Sequence, residues 1–191
     1  SYLAAIQGAL HMINTATTEI IERQEREELS IHTSPTFGHL YLLPRIRKFQ
    51  AQYPELKINI LCSYENAQFN LRQIYIDIRH GIFPWTNLHV IPIRNEFATV
   101  LAHPTLIKES HIHSPQDLLK QNLILSQTPL IQWQQWFAHH HVELSKNLEF
   151  SFTFDRSYMS YETAKQGLGF ILENSLLAKK YIQDGDLAPV F

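Results

Sequence analysis

One cysteine, Cys62, in 191 residues excludes an intramolecular disulfide framework and any cysteine-rich zinc or iron–sulfur centre. Charge of either sign is scarce at 18%, and 16 Lys and Arg against 18 Asp and Glu leave a formal net charge of −2. This balance lacks the cationic excess that draws phosphate polymers, so the chain by itself is expected to hold nucleic acid poorly. No hydrophobic run approaches the roughly 20 residues of a membrane span, and the residues after Ser1 show no basic segment followed by an apolar one. A reducing, cytoplasmic setting with no membrane partner is the expectation. Glycine is also sparse, and GxxxxGK[ST], GxSxG, HExxH and CxxC are all missing. The one GxG, Gly167-Leu168-Gly169, follows a helical pattern rather than a strand. Phosphate loops and the common hydrolase and metalloprotease signatures are thereby excluded.

What is present begins with a stripe. Leu3, Ile6, Leu10, Ile13, Thr17 and Ile20 follow a 3,4,3,4,3 spacing, which puts them on one narrow face of a helix. Such a face seeks a partner, within its own domain or on another chain. The polar run Glu22 to Glu28 then reads as a solvated connector.

Beyond it the pattern alternates between periods of two and 3.6. Leu29 to Thr33 predicts a strand, and Ser34-Pro35 a helix start with Ser as N-cap and Pro in the first turn. That helix carries Phe37, Leu40, Tyr41, Ile46 and Phe49, with Pro44 starting a second turn or kink. Leu56 to Cys62 completes a βαβ unit. A helix at 67–73, a strand at 74–79 and strands at 88–93 and 97–101 follow, in a sheet whose default arrangement is parallel. The second half predicts a helix from Ser114-Pro115, a strand at 123–125, and a helix with Trp133, Trp136 and Phe137. A strand at 148–154, a helix from Ser157 to Gly167, a strand at 169–172, a helix at 176–182 and a last strand at 187–191 complete it. Two α/β lobes joined by a chain that crosses between them twice fit this order.

In such folds ligands sit beyond the carboxyl ends of strands, against helix N-termini. Thr33-Ser34-Pro35-Thr36-Phe37 and Asp155-Arg156-Ser157-Tyr158 have that character. They could hold a carboxylate or carbonyl, or Ser34 and Ser157 could simply cap their own helices. Of the 11 histidines, His139-His140-His141 point in successive directions at a helix end and make no metal site. Cys62 lies in an apolar strand pattern and reads as a buried inert thiol. Asp77 and Arg79 share a strand face and can pair. The Trp133, Trp136, Phe137 set has core spacing, although Trp133 near a strand end could lean into a cleft.

Ser34-Pro35-Thr36-Phe37, Leu42-Leu43-Pro44-Arg45-Ile46, Tyr53-Pro54-Glu55, Ile78-Arg79-His80-Gly81, Leu101-Ala102-His103-Pro104, Ser114-Pro115-x-Asp117-Leu118, Trp133-x-x-Trp136-Phe137 and Ala164-x-Gln166-Gly167-x-Gly169 occur in that order. Together they resemble the effector-binding domain of LysR-type transcriptional regulators over nearly the whole chain after Ser30, closest to the subgroup of the glycine-cleavage activator and the β-lactamase regulator. The resemblance implies an α/β fold of two Rossmann-like subdomains with a double crossover, like a type 2 periplasmic binding protein. Residues 1–29 would be the end of a linker and dimerisation helix with its connector, 30–98 and 171–191 subdomain I, and 99–170 subdomain II.

It further implies no enzyme activity and no cofactor, but a small-molecule effector in the inter-lobe cleft, acidic if Arg156 contacts it. The effector-binding residues carried over are Ser34, Thr36, Phe37, Thr99, Ser126, Gln127, Arg156 and Ser157. Leu3, Ile6, Leu10, Ile13 and Ile20 would pair subunits into a homodimer or homotetramer. DNA would be met only through a winged helix-turn-helix upstream of Ser1, with RNA polymerase as a partner of the full-length protein. Where the family reads Gly-Val-Asp-Leu-Ala-Ile-Arg, this chain has Gln73 to Arg79, with its acid, Asp77, two places later. A free solute-binding protein for an amino acid or small anion is the competing reading, since it shares the two-lobe design.

Overall fold

The computed structural model describes residues 6–15, 17, 28–65, 67, 74–79, 87–93, 96–127 and 131–191. Residues 6–15 form helix α1, on which Ile6, Leu10 and Ile13 are 40%, 59% and 61% exposed. Leu3 and Ile20 fall outside the described residues. The chain divides into two units, residues 1–38 with 42–81 and residues 39–41 with 82–191.

Unit 1 is built on a three-stranded parallel sheet of order β2-β1-β3: β1 is Glu28–Thr33, β2 Lys57–Cys62 and β3 Ile76–Ile78. β1 is central, and its last four residues are buried. Ser34 leaves the strand extended and accepts the Phe37 N–H, so that Pro35 opens a short helix, α2 (Pro35–Phe37), as the Ser-Pro pair predicts. A π-helical turn over Gly38–Leu42 continues into α3, Leu43–Gln52, with Pro44 in its first turn. The expected kink at Pro44 is therefore a widened turn that lets the helix pass a residue with no N–H. β2 is an edge strand, and Cys62 at its end is exposed, which corrects the buried thiol expected from the apolar run. Its sulfur still packs toward Gly38, where an added Cβ would lie 3.0 Å from it. The helix expected at 67–73 falls, but for Ala67, outside the described residues.

Unit 2 carries a five-stranded mixed sheet, β6-β5-β7-β4-β8. Its strands are β4 (Ala98–Ala102), β5 (Leu123–Ser126), β6 (Phe152–Phe154), β7 (Phe170–Asn174) and β8 (Ala188–Pro189). β5 is parallel to β6 and β7, whereas β4 is antiparallel to β7 and β8, a departure from the all-parallel expectation. Its helices are α4 (Pro104–Ser110), α5 (Trp133–His139), α6 (Ser157–Lys165) and α7 (Ser175–Gln183), with a 3₁₀ turn at Pro115–Lys120.

Alternation along the strands divides the core in two. Val100, Ala102, Leu123, Phe170 and Leu172 join Trp133, Trp136 and Phe137 of α5. Leu101, Ile124 and Ile171 point the other way, to Tyr161 and Ala164 of α6 and Ala178 of α7. Trp133 is 2% exposed and donates its Nε1–H to the Ile124 carbonyl at 3.0 Å, so it belongs to the core rather than to a cleft.

Two further expectations are corrected, and one element is new. Residues 171–191, assigned from the sequence to subdomain I, pair and pack in unit 2, because β7 lies between β4 and β5 and β8 adds to β4. The described residues 87–93 hold no strand despite their β-branched content; Ile91 and Ile93 are 72% and 60% exposed. Helix α4 has no counterpart among the sequence expectations, although His103 caps it through Nδ1 and Pro104 opens it.

Candidate functional site

Strand parity builds the site in unit 2. Thr99 lies two residues from Leu101, Ser126 two from Ile124 and Glu173 two from Ile171, so all three share the sheet face that α6 covers. Thr99 and Glu173 are also directly paired across β4 and β7. Ser126 ends β5, and Ser157 opens α6; both are buried and share a hydrogen bond of 2.6 Å. Ser160, one turn along α6, is 1% exposed. The three serine hydroxyls surround the Glu173 carboxyl.

Electrostatics set this carboxyl apart. Glu173 is 3% exposed, and burial pushes its pKa up from 4.5 to about 8, against the opposing pull of Ser157, Ser126, Ser160 and the Asn174 backbone. Burial therefore outweighs hydrogen bonding, and the group is mostly protonated at neutral pH. Its Oε1 and the Ser160 Oγ make no hydrogen bond of regular geometry, so Ser160 acts on the carboxyl as a nearby hydroxyl that is not aligned with it. Next to it Asn174 caps α7, accepting the Leu176 N–H at 2.8 Å and donating to the Glu96 carboxylate. Tyr161 donates its hydroxyl to the Asn174 carbonyl at 2.8 Å.

Of the residues expected at the site, Thr99, Ser126 and Ser157 occur together here. Gln127 follows Ser126 but is exposed, and its N–H goes to the Phe154 carbonyl at 2.8 Å. Arg156 lies just before α6 with its guanidinium 3.4 Å from the Asp155 carboxylate. In unit 1, Ser34 caps α2, Thr36 is buried and Phe37 half-buried. Glu173 and Ser160 are absent from the sequence-based set. The signal for Glu173 is an acid inside Phe170-Ile171-Leu172-Glu173-Asn174, a strand that otherwise reads as fully buried.

Unit 1 holds a second polar cluster at the carboxyl ends of its strands. His32, 3% exposed, faces Asp77 Oδ1 through Nδ1 at 3.0 Å and Ser63 Oγ through Nε2 at 2.9 Å. Arg79 Nη2 also lies 3.1 Å from His32 Nδ1, so this nitrogen faces both the Asp77 acceptor and a guanidinium donor, and the Ser63 hydroxyl takes the complementary role at Nε2. Arg79 Nε lies 2.6 Å from Asp77 Oδ2, the pair expected from their shared strand face, and its Nη2 donates to the Glu65 carbonyl. The displaced acid at position 77 thus ties the ends of all three strands. Asp77, His32 and Ser63 are thus linked in the order of a nucleophilic triad, and the same contacts hold the three strand ends together.

Among the described residues no group of three or more His, Cys, Asp or Glu could hold a metal ion, and no helix is long and apolar enough to cross a membrane.

Comparison with known proteins gives a consistent picture. Residues 22–190 match the family model described as LysR substrate binding domain. The chain is 33% identical over 168 residues to the HTH-type transcriptional regulator PerR of Escherichia coli, covering 88% of the chain and 55% of that protein. It is 29% identical over 190 residues to the glycine cleavage system transcriptional activator homolog of Haemophilus influenzae, covering all of the chain and 62% of that protein. Among solved structures, the effector domain of the transcriptional regulator AmpR of Pseudomonas aeruginosa superposes with a TM-score of 0.69 at 25% identity. That match covers 86% of the chain and 78% of the other. The chain thus spans little more than half the length of the curated relatives it matches.

Proposed function

The chain belongs to the LysR substrate-binding domain family, and from this premise we propose that it is the sensing part of a longer cytoplasmic transcriptional regulator. It binds a small-molecule effector and passes the event to a DNA-binding segment elsewhere in that protein, a coupling between distinct sites. The observation that carries this reading is the convergence of Thr99, Ser126 and Ser157, from three separate segments, on one buried carboxyl at the end of α6. Ser34, Thr36 and Phe37 of unit 1, and Gln127 and Arg156 of unit 2, are the further effector-binding candidates. The exposed Ile6, Leu10 and Ile13 would pair two copies into a homodimer, with tetramers and RNA polymerase contacts belonging to the complete regulator.

The regulators among its relatives favour this over a free solute-binding protein, and make catalysis no part of the proposal. Native mass spectrometry of freshly purified protein reads assembly and ligand together. The wild type is expected as a dimer carrying a small-molecule mass excess, Leu10→Asp with Ile13→Asp as a monomer, and Ser157→Ala as a dimer without the excess. A wild-type monomer of bare mass, unchanged on incubation with a cell-derived metabolite extract, contradicts the reading.

A further inference from the structure

The Glu173 centre has what an anion site lacks and lacks what an anion site needs. Burial, three serine hydroxyls and a backbone group act most strongly on its carboxyl, and none of these is a cation. Among the described residues Glu173 has no salt-bridge partner, and its Oε1 and the neighbouring Ser160 Oγ are buried without a hydrogen bond of regular geometry. Arg156, the residue that suggests an acidic ligand in the sequence, is beside Asp155. Buried polar atoms without partners are costly and uncommon in native proteins, and they ask for an occupant.

We propose that the effector carries a primary ammonium group and that Glu173, with the hydroxyls of Ser126, Ser157 and Ser160, receives it. This deepens the effector-sensing reading and rests on it. An ammonium has three N–H donors. Glu173 Oε1, Ser160 Oγ and an oxygen of the Ser126–Ser157 pair offer three acceptors on one sheet-and-helix corner. When the ammonium arrives the carboxyl gives up its proton to solvent, the new ion pair offsets the burial that kept it neutral, and the serine hydroxyls turn to donate to the carboxylate. A ligand bearing only a carboxylate gains nothing from Glu173 and is repelled whenever the acid ionises. Small amino acids are the simplest compounds of the required class.

Calorimetric titration of the whole chain at pH 7 tests this, using the twenty common L-amino acids and, for each, the carboxylate with the amine removed. At least one amino acid is expected to bind at least tenfold more tightly than its desamino counterpart, with release of close to one proton, read from the dependence of the heat on buffer ionisation. Glu173→Gln, isosteric with the protonated acid, should weaken that binding at least tenfold and abolish the proton release; the wild-type proton count needs no variant. If the desamino carboxylates bind as tightly, or Glu173→Gln binds equally well, the ammonium proposal falls while the effector site stands. If nothing in either set binds, both fall.

Discussion

Replacing Glu173 by Gln should remove a stability loss of about 1.4 kcal/mol per pH unit that the wild-type chain suffers between about pH 5 and 8. The folded carboxyl titrates near 8 and an unfolded one near 4.5. Between those values the folded state keeps a proton that the unfolded chain has released, so rising pH favours unfolding. Below the window both states are protonated and above it both are ionised, which confines the effect to the interval and brings its total to several kcal/mol. Denaturant midpoints of the two proteins should coincide near pH 4.5 and diverge steadily toward pH 8, with Glu173→Gln the more stable. Parallel midpoints across the range would mean that Glu173 is ionised in the folded protein. An amine ligand should narrow the gap at pH 8 in the wild type alone, because it supplies the charge that burial denies.

Gly169→Ala is the second large effect. An added Cβ would lie 2.5 Å from the Asn122 carbonyl oxygen and 3.1 and 3.2 Å from Ile124 side-chain carbons. That carbonyl accepts the Phe170 N–H at 2.8 Å, so it cannot retreat without opening the start of the β5–β7 pairing. A loss of about 3 kcal/mol or more is expected, from overpacking against backbone rather than against a pliable side chain. Gly167 is the control. It has φ +74° after α6, with the nearest neighbour to an added Cβ at 4.0 Å, so Gly167→Ala should cost only about 1 kcal/mol through left-handed strain. Thermal or denaturant unfolding ranks the two. An equal loss would show that β5 shifts to admit the added methyl, and that the close approach of β7 to β5 is not what requires glycine at 169.

These glycines show how the sequence was legible in parts. Ser34-Pro35, the Ser-Pro start at residue 114 and the apolar runs at 29–33, 57–62 and 123–126 mark local structure that local chemistry decides, and they occur where patterning puts them. Pairing partners are not local. The short apolar run at 170–172 fits either sheet, and only packing beside β4 and β5 settles it, which is why 171–191 could be assigned to the wrong unit. The apolar content of residues 88–93 likewise predicts a strand that lacks a neighbouring edge among the described residues.

The candidate site divides in the same way. Ser126 and Ser157 sit at a strand end and a helix start, positions that sequence marks. Glu173 lies inside a strand, and its importance appears only when parity places it on the α6 face with Thr99 and Ser126. His32 is comparable, since its partners Ser63, Asp77 and Arg79 come from 31, 45 and 47 residues away.

Backbone amide shifts, followed while a mixture of small amino acids and carboxylates is added to the isotope-labelled chain, test most directly that the α6 corner is the seat of sensing. The account predicts the largest changes at Ser126, Gln127, Ser157, Ser160 and Glu173, saturating with ligand. Saturating changes that leave those amides unmoved would contradict it.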